Sequence, residues 1–270
     1  FGFSDVDSGA QLQSIAVTTL SSKGTLALDG STVTLGQSIS RSNIEAGNLK
    51  FTPATNANGT GYDSFKFTVN DGVADSSASS TMTIDVTAVN DLPTASDKTV
   101  TATEDTAFVF ALADFGFSDV ETSQLQSIAV TTLSSKGTLT ISGSTVGIDQ
   151  SISRSNIEAG NLKFTPATNA NGTGYDSFKF TVNDGVADSS ASSTMTIDVT
   201  AVNDSPVGVT DSYTTLQNTQ LTGTVGSNDL LQNDSDADPD VLAVNTTPVS
   251  NVANGTLTLA TDGSFTYSPS

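Results

Sequence analysis

Residues Ser38 to Asp91 return letter for letter as Ser151 to Asp204, an offset of 113 residues. FGFSDVDSGAQLQSIAVTTL at Phe1 likewise returns as FGFSDVETSQLQSIAVTTL at Phe115. Solenoid repeats run about 20–50 residues, so a period this long fits a whole immunoglobulin-sized domain. Each repeat should then own a core.

VTAVNDLP, ending at Pro93, and VTAVNDSP, ending at Pro206, mark the repeat boundaries. They divide the chain into residues 1–91, 92–204 and a diverged 205–270. The first repeat has no counterpart of Leu92 to Asp114. The third stops before a counterpart of GTGYDSFKFTVNDG (172–185). We therefore expect a window from a longer array.

Alternation sets the fold class. In SFKFTV, Phe178, Phe180 and Val182 oppose Lys179 and Thr181; in TMTIDVTAV, Met195, Ile197, Val199 and Ala201 oppose Thr196, Asp198 and Thr200. A period of two means one buried and one wet face, as in antiparallel sandwiches. The complete repeat reads as seven strands, A to G: 99–103, 107–112, 125–130, 138–142, 161–165, 177–182 and 193–202. SSKG, SGS, ATNANGTG and NDGVAD supply turns. The one helical signal is Ser155 to Gly160, a single turn ended by glycine. The expected fold is all-β: tandem seven-stranded Greek-key sandwiches of the Ig or cadherin-like kind, arranged end to end.

An odd strand number brings the chain in at one end of a sandwich and out at the other, which sorts the loops. Loops BC and FG lie at the entry end. The end of strand A, loop EF and the outgoing linker lie at the exit end. Exit acids of one repeat should meet entry acids of the next. The set expected at the first junction is Asp63, Asn90, Asp91, Asp119, Glu121 and Asp184. At the second it is Glu104, Asp176, Asn203, Asp204, Asp236 and Asp238. Asp5, Asp7 and Asp71 hold the equivalent entry positions of the first repeat. Carboxylates gathered this closely repel one another unless a cation offsets them. Ca²⁺ suits such a site, because it accepts 6–8 oxygens in flexible geometry, whereas Mg²⁺ demands a tighter octahedron.

Composition agrees. Nine Lys and Arg against 29 Asp and Glu give a net charge of −20, which opposes nucleic acid and anionic membranes and favours multivalent cations. No stretch reaches the roughly 18 apolar residues of a membrane span. Cys, His and Trp are absent, so thiolate sites, disulfides and the usual catalytic triads are excluded. The acidic pairs lie at repeat ends without Trp to stack a sugar, which argues against glycosidase chemistry. We expect no enzyme.

The order of these motifs resembles the cadherin-like repeats of giant bacterial extracellular adhesins, over essentially the whole chain. SDVDSG (4–9), SDVET (118–122) and SDADP (235–239) are similar to the DxD motif after strand B. VNDG at 69–72 and 182–185 matches the motif before strand G, and AVNDLP and AVNDSP match the linker. TATED (101–105) stands at the strand-A glutamate, and YDS at Tyr62 and Tyr175 near the acidic pair before strand F. The resemblance implies calcium at the joints, neighbouring repeats of one long chain as partners, and a location outside the cell on a bacterial surface. The linker is shorter than in animal cadherins and Glu121 replaces the second Asp, which implies fewer or more weakly held ions per joint.

Each acid also has a plainer reading. Loop Asp and Asn commonly form turns with their own backbone. Asp29 and Asp149 sit on or beside hairpin turns, while Asp85 and Asp198 face outward from strand G. NDSDADPD (233–240) is no EF-hand, because Pro239 replaces the required glycine. Asn58-Gly59-Thr60 and Asn171-Gly172-Thr173 match the N-glycosylation pattern and read as turns in loop EF. Two functions stay open: a calcium-stiffened stalk of a surface adhesin or fibre, and a calcium-dependent module binding polysaccharide or other copies. Lateral assembly through exposed strand edges also stays open.

Overall fold

The computed structural model describes residues 1–7 and 9–270. Contacts divide the chain into two compact units, Phe1–Leu92 with Asp119–Ser123, and Pro93–Ser118 with Gln124–Ser270.

In the first unit, β1 (Ser14–Thr19), β2 (Gly24–Leu28), β3 (Ser31–Thr32) and β4 (Ser38–Ser40) precede a one-turn helix, α1 (Arg41–Glu45). β5 (Leu49–Pro53), β6 (Gly59–Asn70) and β7 (Ser80–Val86) follow. One sheet has the order β4-β1-β6-β7 and the other β3-β2-β5. Alternate residues Ile15, Val17, Phe65 and Phe67 turn inward and are buried with Leu26 and Ile39, as the period of two requires.

The second unit holds the complete repeat apart from Leu92 and Asp119–Ser123. Its elements are β8 (Lys98–Thr103), β9 (Phe108–Val109), a 3₁₀ turn (Leu112–Phe115), β10 (Ser127–Thr132), β11 (Thr138–Ile141), β12 (Ser144–Thr145), β13 (Ser151–Ser153), α2 (Arg154–Glu158), β14 (Leu162–Thr165), β15 (Gly172–Asn183) and β16 (Ser193–Thr200). A sheet ordered β13-β10-β15-β16-β8 packs on one ordered β12-β11-β14-β9. Their inner faces share a core that includes Phe110, Ile128, Val130, Leu139, Leu162, Phe164, Phe178, Phe180, Met195 and Ile197. Phe110 meets Phe178 edge-on at 5.6 Å between ring centroids, a favoured aromatic geometry. This is an immunoglobulin- or cadherin-like sandwich.

All seven expected strands occur. Two short ones, β12 and β13, join them, and this even number leaves the chain's direction unchanged. Strand B is shorter than expected, because Leu112 enters the 3₁₀ turn instead. The helix also begins earlier: Ser153, not Ser155, caps it, accepting from the Asn156 N–H. A cap oxygen must reach the N–H two or three residues ahead, and Ser153 is so placed.

Strand parity has a direct structural consequence. β8 and β16 pair in parallel, from Lys98 with Met195 to Thr103 with Thr200. The first and last strands therefore run out together, and Glu104 emerges beside the linker that follows β16.

The loop ahead of β11 is held just as closely. A Cβ on Gly137 would lie 2.2 Å from Phe164 Cζ, and one on Gly24 would lie 2.3 Å from Phe51 Cζ. Only glycine lets the ring close over this turn.

Also in the second unit, β17 (Leu221–Gly223), β18 (Gly255–Leu259) and β19 (Phe265–Pro269) form a sheet ordered β17-β19-β18. The order repeats that of β9, β14 and β11, although the sequence has diverged. Phe265 is buried against Tyr213, 4.8 Å away between centroids.

Candidate metal centre

Asp176 follows Tyr175 on β15 and is buried, with 6% exposure. Its carboxylate accepts the N–H groups of Ser135, Lys136, Gly137 and Ser177 at 2.8 to 3.1 Å. Asp63 does the same in the first unit, accepting from Ser22, Lys23, Gly24 and Ser64 at 2.8 to 3.1 Å. Burial alone would raise the Asp63 pKa, but the four amide dipoles together lower it to about 2. Asp176 is lowered for the same reason, again against burial. Both carboxylates thus bind the backbone of the SSKG turn, a role that the sequence reading does not foresee. A group whose folded pKa lies below its ordinary value stabilises the fold above that value and stops doing so as pH falls. Melting of the first unit should therefore lose stability between about pH 4 and pH 2. Asp63→Asn should flatten that dependence, as followed by circular dichroism.

The end of β8 builds a different site. Glu104, 1% exposed, accepts the Asn171 side-chain amide on Oε2 at 2.9 Å and the Val202 N–H on Oε1. The chain then turns through Asn203, whose amide donates to its neighbour's carbonyl, Asp204 O, at 2.7 Å. The Asp204 N–H donates to Asp238 Oδ2 at 2.6 Å. The Asp238 N–H in turn donates to Asp236 Oδ1 at 2.9 Å. A backbone bridge between Val207 and Ser235 pins the DxD loop against the linker. Oxygens of Glu104, Asp204 and Asp238 then lie within 4.8 Å of one another.

The electrostatics of this cluster are unbalanced. Burial, and then the charges of Asp105, Asp238, Glu104 and Asp236, push the Asp204 pKa up. Glu104 is held down by Asn171 and Val202, against burial. Asp204 Oδ2 is buried without a hydrogen-bond partner. Among the described residues no basic side chain pairs with the cluster; the ion pairs Arg41–Glu45 and Arg154–Glu158 run along the one-turn helices. A buried, unpaired anionic oxygen is costly. An all-oxygen donor set of several carboxylates fits a hard divalent cation such as Ca²⁺. Glu104, Asp204 and Asp238 are the residues that would hold it.

Part of this pattern recurs in the first unit. The Asp91 N–H donates to Glu121 Oε1 at 3.1 Å, and Asp119 Oδ1 accepts from Glu121 and Ser123 at 2.9 and 3.2 Å. The Asn90 amide donates to Asp91 O at 2.7 Å. Asp119 Oδ2 and Glu121 Oε2 are buried without partners. At the entry position of this unit, the Asp7 N–H donates to Asp5 Oδ1 at 2.8 Å. Asp5 in turn interacts with Asp71, whose Oδ1 accepts from Val73 and Ala74. Asp184, in the second unit, is buried and caps its own turn, accepting from Val186 and Ala187 at 2.7 Å.

Of the residues singled out in sequence, then, the structure gathers Glu104, Asn203, Asp204, Asp236 and Asp238 at one place and Asn90, Asp91, Asp119 and Glu121 at another. It leaves Asp63 and Asp176 in their turns. Sequence reasoning missed Asp105, which adds negative charge near Asp204, and Asn171, which holds Glu104. Asp105 has φ of +56°, uncommon outside glycine, and the TATED motif offered only its glutamate. Asp198, read in sequence only as facing outward, also has a partner. Its Oδ1 takes the Gly174 N–H at 2.6 Å, pinning the bulge that opens β15.

Residues 203–270, which carry the Asp204 and Asp238 side of the cluster, match the family model of the bacterial cadherin-like domain. This last segment of the chain is similar to bacterial cadherin-like domains. Residues 90–200 match the model of the bacterial Ig domain, in keeping with the sandwich topology that cadherin-like and Ig repeats share. Such repeats are typical of extracellular surface proteins and are generally non-enzymatic. No curated protein sequence matches the chain.

Solved structures show distant likenesses to the chain. An endo-fucoidan hydrolase of glycoside hydrolase family 107 is 18% identical with a TM-score of 0.28, covering 97% of this chain and 35% of that one. Domains 1–6 of the surface layer protein SbsC are 14% identical with a TM-score of 0.24, covering 83% and 26%. The fibronectin(III)-like modules of Clostridium thermocellum CbhA are 11% identical with a TM-score of 0.22, covering 72% and 83%. The chain thus spans about a third of the hydrolase. Among the described residues no helix is long and apolar enough to cross a membrane.

Proposed function

We propose that the chain is a calcium-stiffened structural segment, a stalk or extender, of a bacterial cell-surface adhesin or extracellular fibre. The observation that carries this reading is the Glu104, Asp204 and Asp238 cluster with its orphaned Asp204 oxygen. Glu104 belongs to the second repeat, Asp204 to the linker and Asp238 to the third repeat. A cation held by all three ties two repeats and their linker together. Without it, like charges favour the open joint. The ion stiffens the chain by binding the closed joint better than the open one, which is a shift of populations.

The near-identity of successive repeats supports a role in which length counts more than any individual surface. Neighbouring repeats of the same chain are the partners this reading requires. Solution scattering tests it: removing calcium with EDTA should shorten the maximum dimension and broaden the distance distribution, and restoring calcium should reverse both. Identical profiles with and without the ion would refute it.

A further inference from the structure

We infer that Asn171, in the loop that precedes β15, is a positioning residue that presents Glu104 to the cation. The inference rests on the calcium reading above. It starts from a motif that reading leaves unused, the Asn-Gly-Thr at 171–173.

Glu104 sits one residue beyond β8, where no strand pairing holds its side chain. A glutamate has three rotatable bonds, and ordering such a side chain costs conformational entropy. Asn171 removes that freedom. Its Nδ2 donates to Glu104 Oε2 at 2.9 Å, while the Val202 N–H takes Oε1. Two donors on different oxygens fix the plane of the carboxylate and leave one lone pair on each oxygen for a metal.

The loop itself is tied down twice. The Asn169 N–H donates to Asp105 Oδ1 at 3.1 Å, and the Ala167 N–H donates to the Tyr175 hydroxyl at 3.2 Å. Asn171 is therefore held from behind while it holds Glu104 in front. Such partners of metal ligands typically matter by 10–100-fold in affinity.

The sequence contains its own control. Residues 38–91 duplicate 151–204, so Asn58 occupies the same loop position as Asn171. Asn58 belongs to the first unit, whereas Glu104, Asp204 and Asp238 all belong to the second.

The test is calcium titration by calorimetry on the full chain, with melting in EDTA measured alongside. Asn171→Ala should weaken the second-joint site by about tenfold, and Asn58→Ala should leave that site unchanged. In a Glu104→Gln background, Asn171→Ala should change the residual affinity no further. That double-mutant cycle separates positioning from a general loss of fold. Unchanged affinity in Asn171→Ala, or an equal loss in the Glu104→Gln background, would overturn the assignment. Should the parent chain bind no calcium, the reading beneath it falls first, and visibly so.

Discussion

Calcium added to the EDTA-treated chain should raise the melting temperature of the second unit by about 5–10 °C when the ion is present at 100 times its dissociation constant. A ligand that binds only the folded state stabilises it by about 2.7 kcal/mol at that excess. Each kcal/mol moves the midpoint by about 2–4 °C in a unit of some 150–250 residues. The effect should be specific to the carboxylates named. Glu104→Gln and Asp204→Asn remove charge from the cluster and should abolish most of the shift. Asp204→Asn should also make the metal-free chain no less stable, because it relieves repulsion around Asp204. That opposite pair of signs is what distinguishes a cation site from an ordinary structural hydrogen-bond network. Magnesium should substitute poorly, since nothing here imposes a small octahedral shell. Differential scanning calorimetry with each ion checks all of this.

Asp176→Ala should be among the most destabilising single substitutions in the chain, and calcium should not rescue it. Its carboxylate serves the N–H groups of Ser135, Lys136, Gly137 and Ser177. Charge-assisted hydrogen bonds contribute about 1.5–3 kcal/mol each, and buried amides left without an acceptor cost about 1–3 kcal/mol each. Allowing for water entering the space, a loss of about 3–5 kcal/mol is expected. That is a large part of the stability of a domain this size. Asp63→Ala should act alike in the first unit. Urea denaturation checks both. Tolerance of either substitution would mean that the turn finds other acceptors.

The contrast between these carboxylates shows where sequence reading reaches and where it stops. Alternation in SFKFTV and TMTIDV places Phe178, Phe180, Met195 and Ile197 in the core, because a strand has only two faces. Parity alone brings Glu104 beside the outgoing linker, and the parallel pairing of β8 with β16 realises that expectation. Asp176 and Asp63 are not legible as turn anchors, because three of each carboxylate's four donors lie 39 to 41 residues away in sequence. Nothing local to YDS reveals a turn folding back to offer three amides. Asn171 was legible only as a turn former, since its partner Glu104 is 67 residues distant. The helix start was displaced by two residues, because several serines in SISRS can cap and only geometry selects Ser153. Local chemistry is visible in a sequence; long-range partners for polar groups are not.

The most direct measurement is isothermal titration of calcium into the metal-free chain, run beside Asp204→Asn and Glu104→Gln. Saturable binding that Glu104→Gln and Asp204→Asn each strongly weaken is the predicted result. No saturable uptake, or uptake indifferent to both substitutions, would contradict the account.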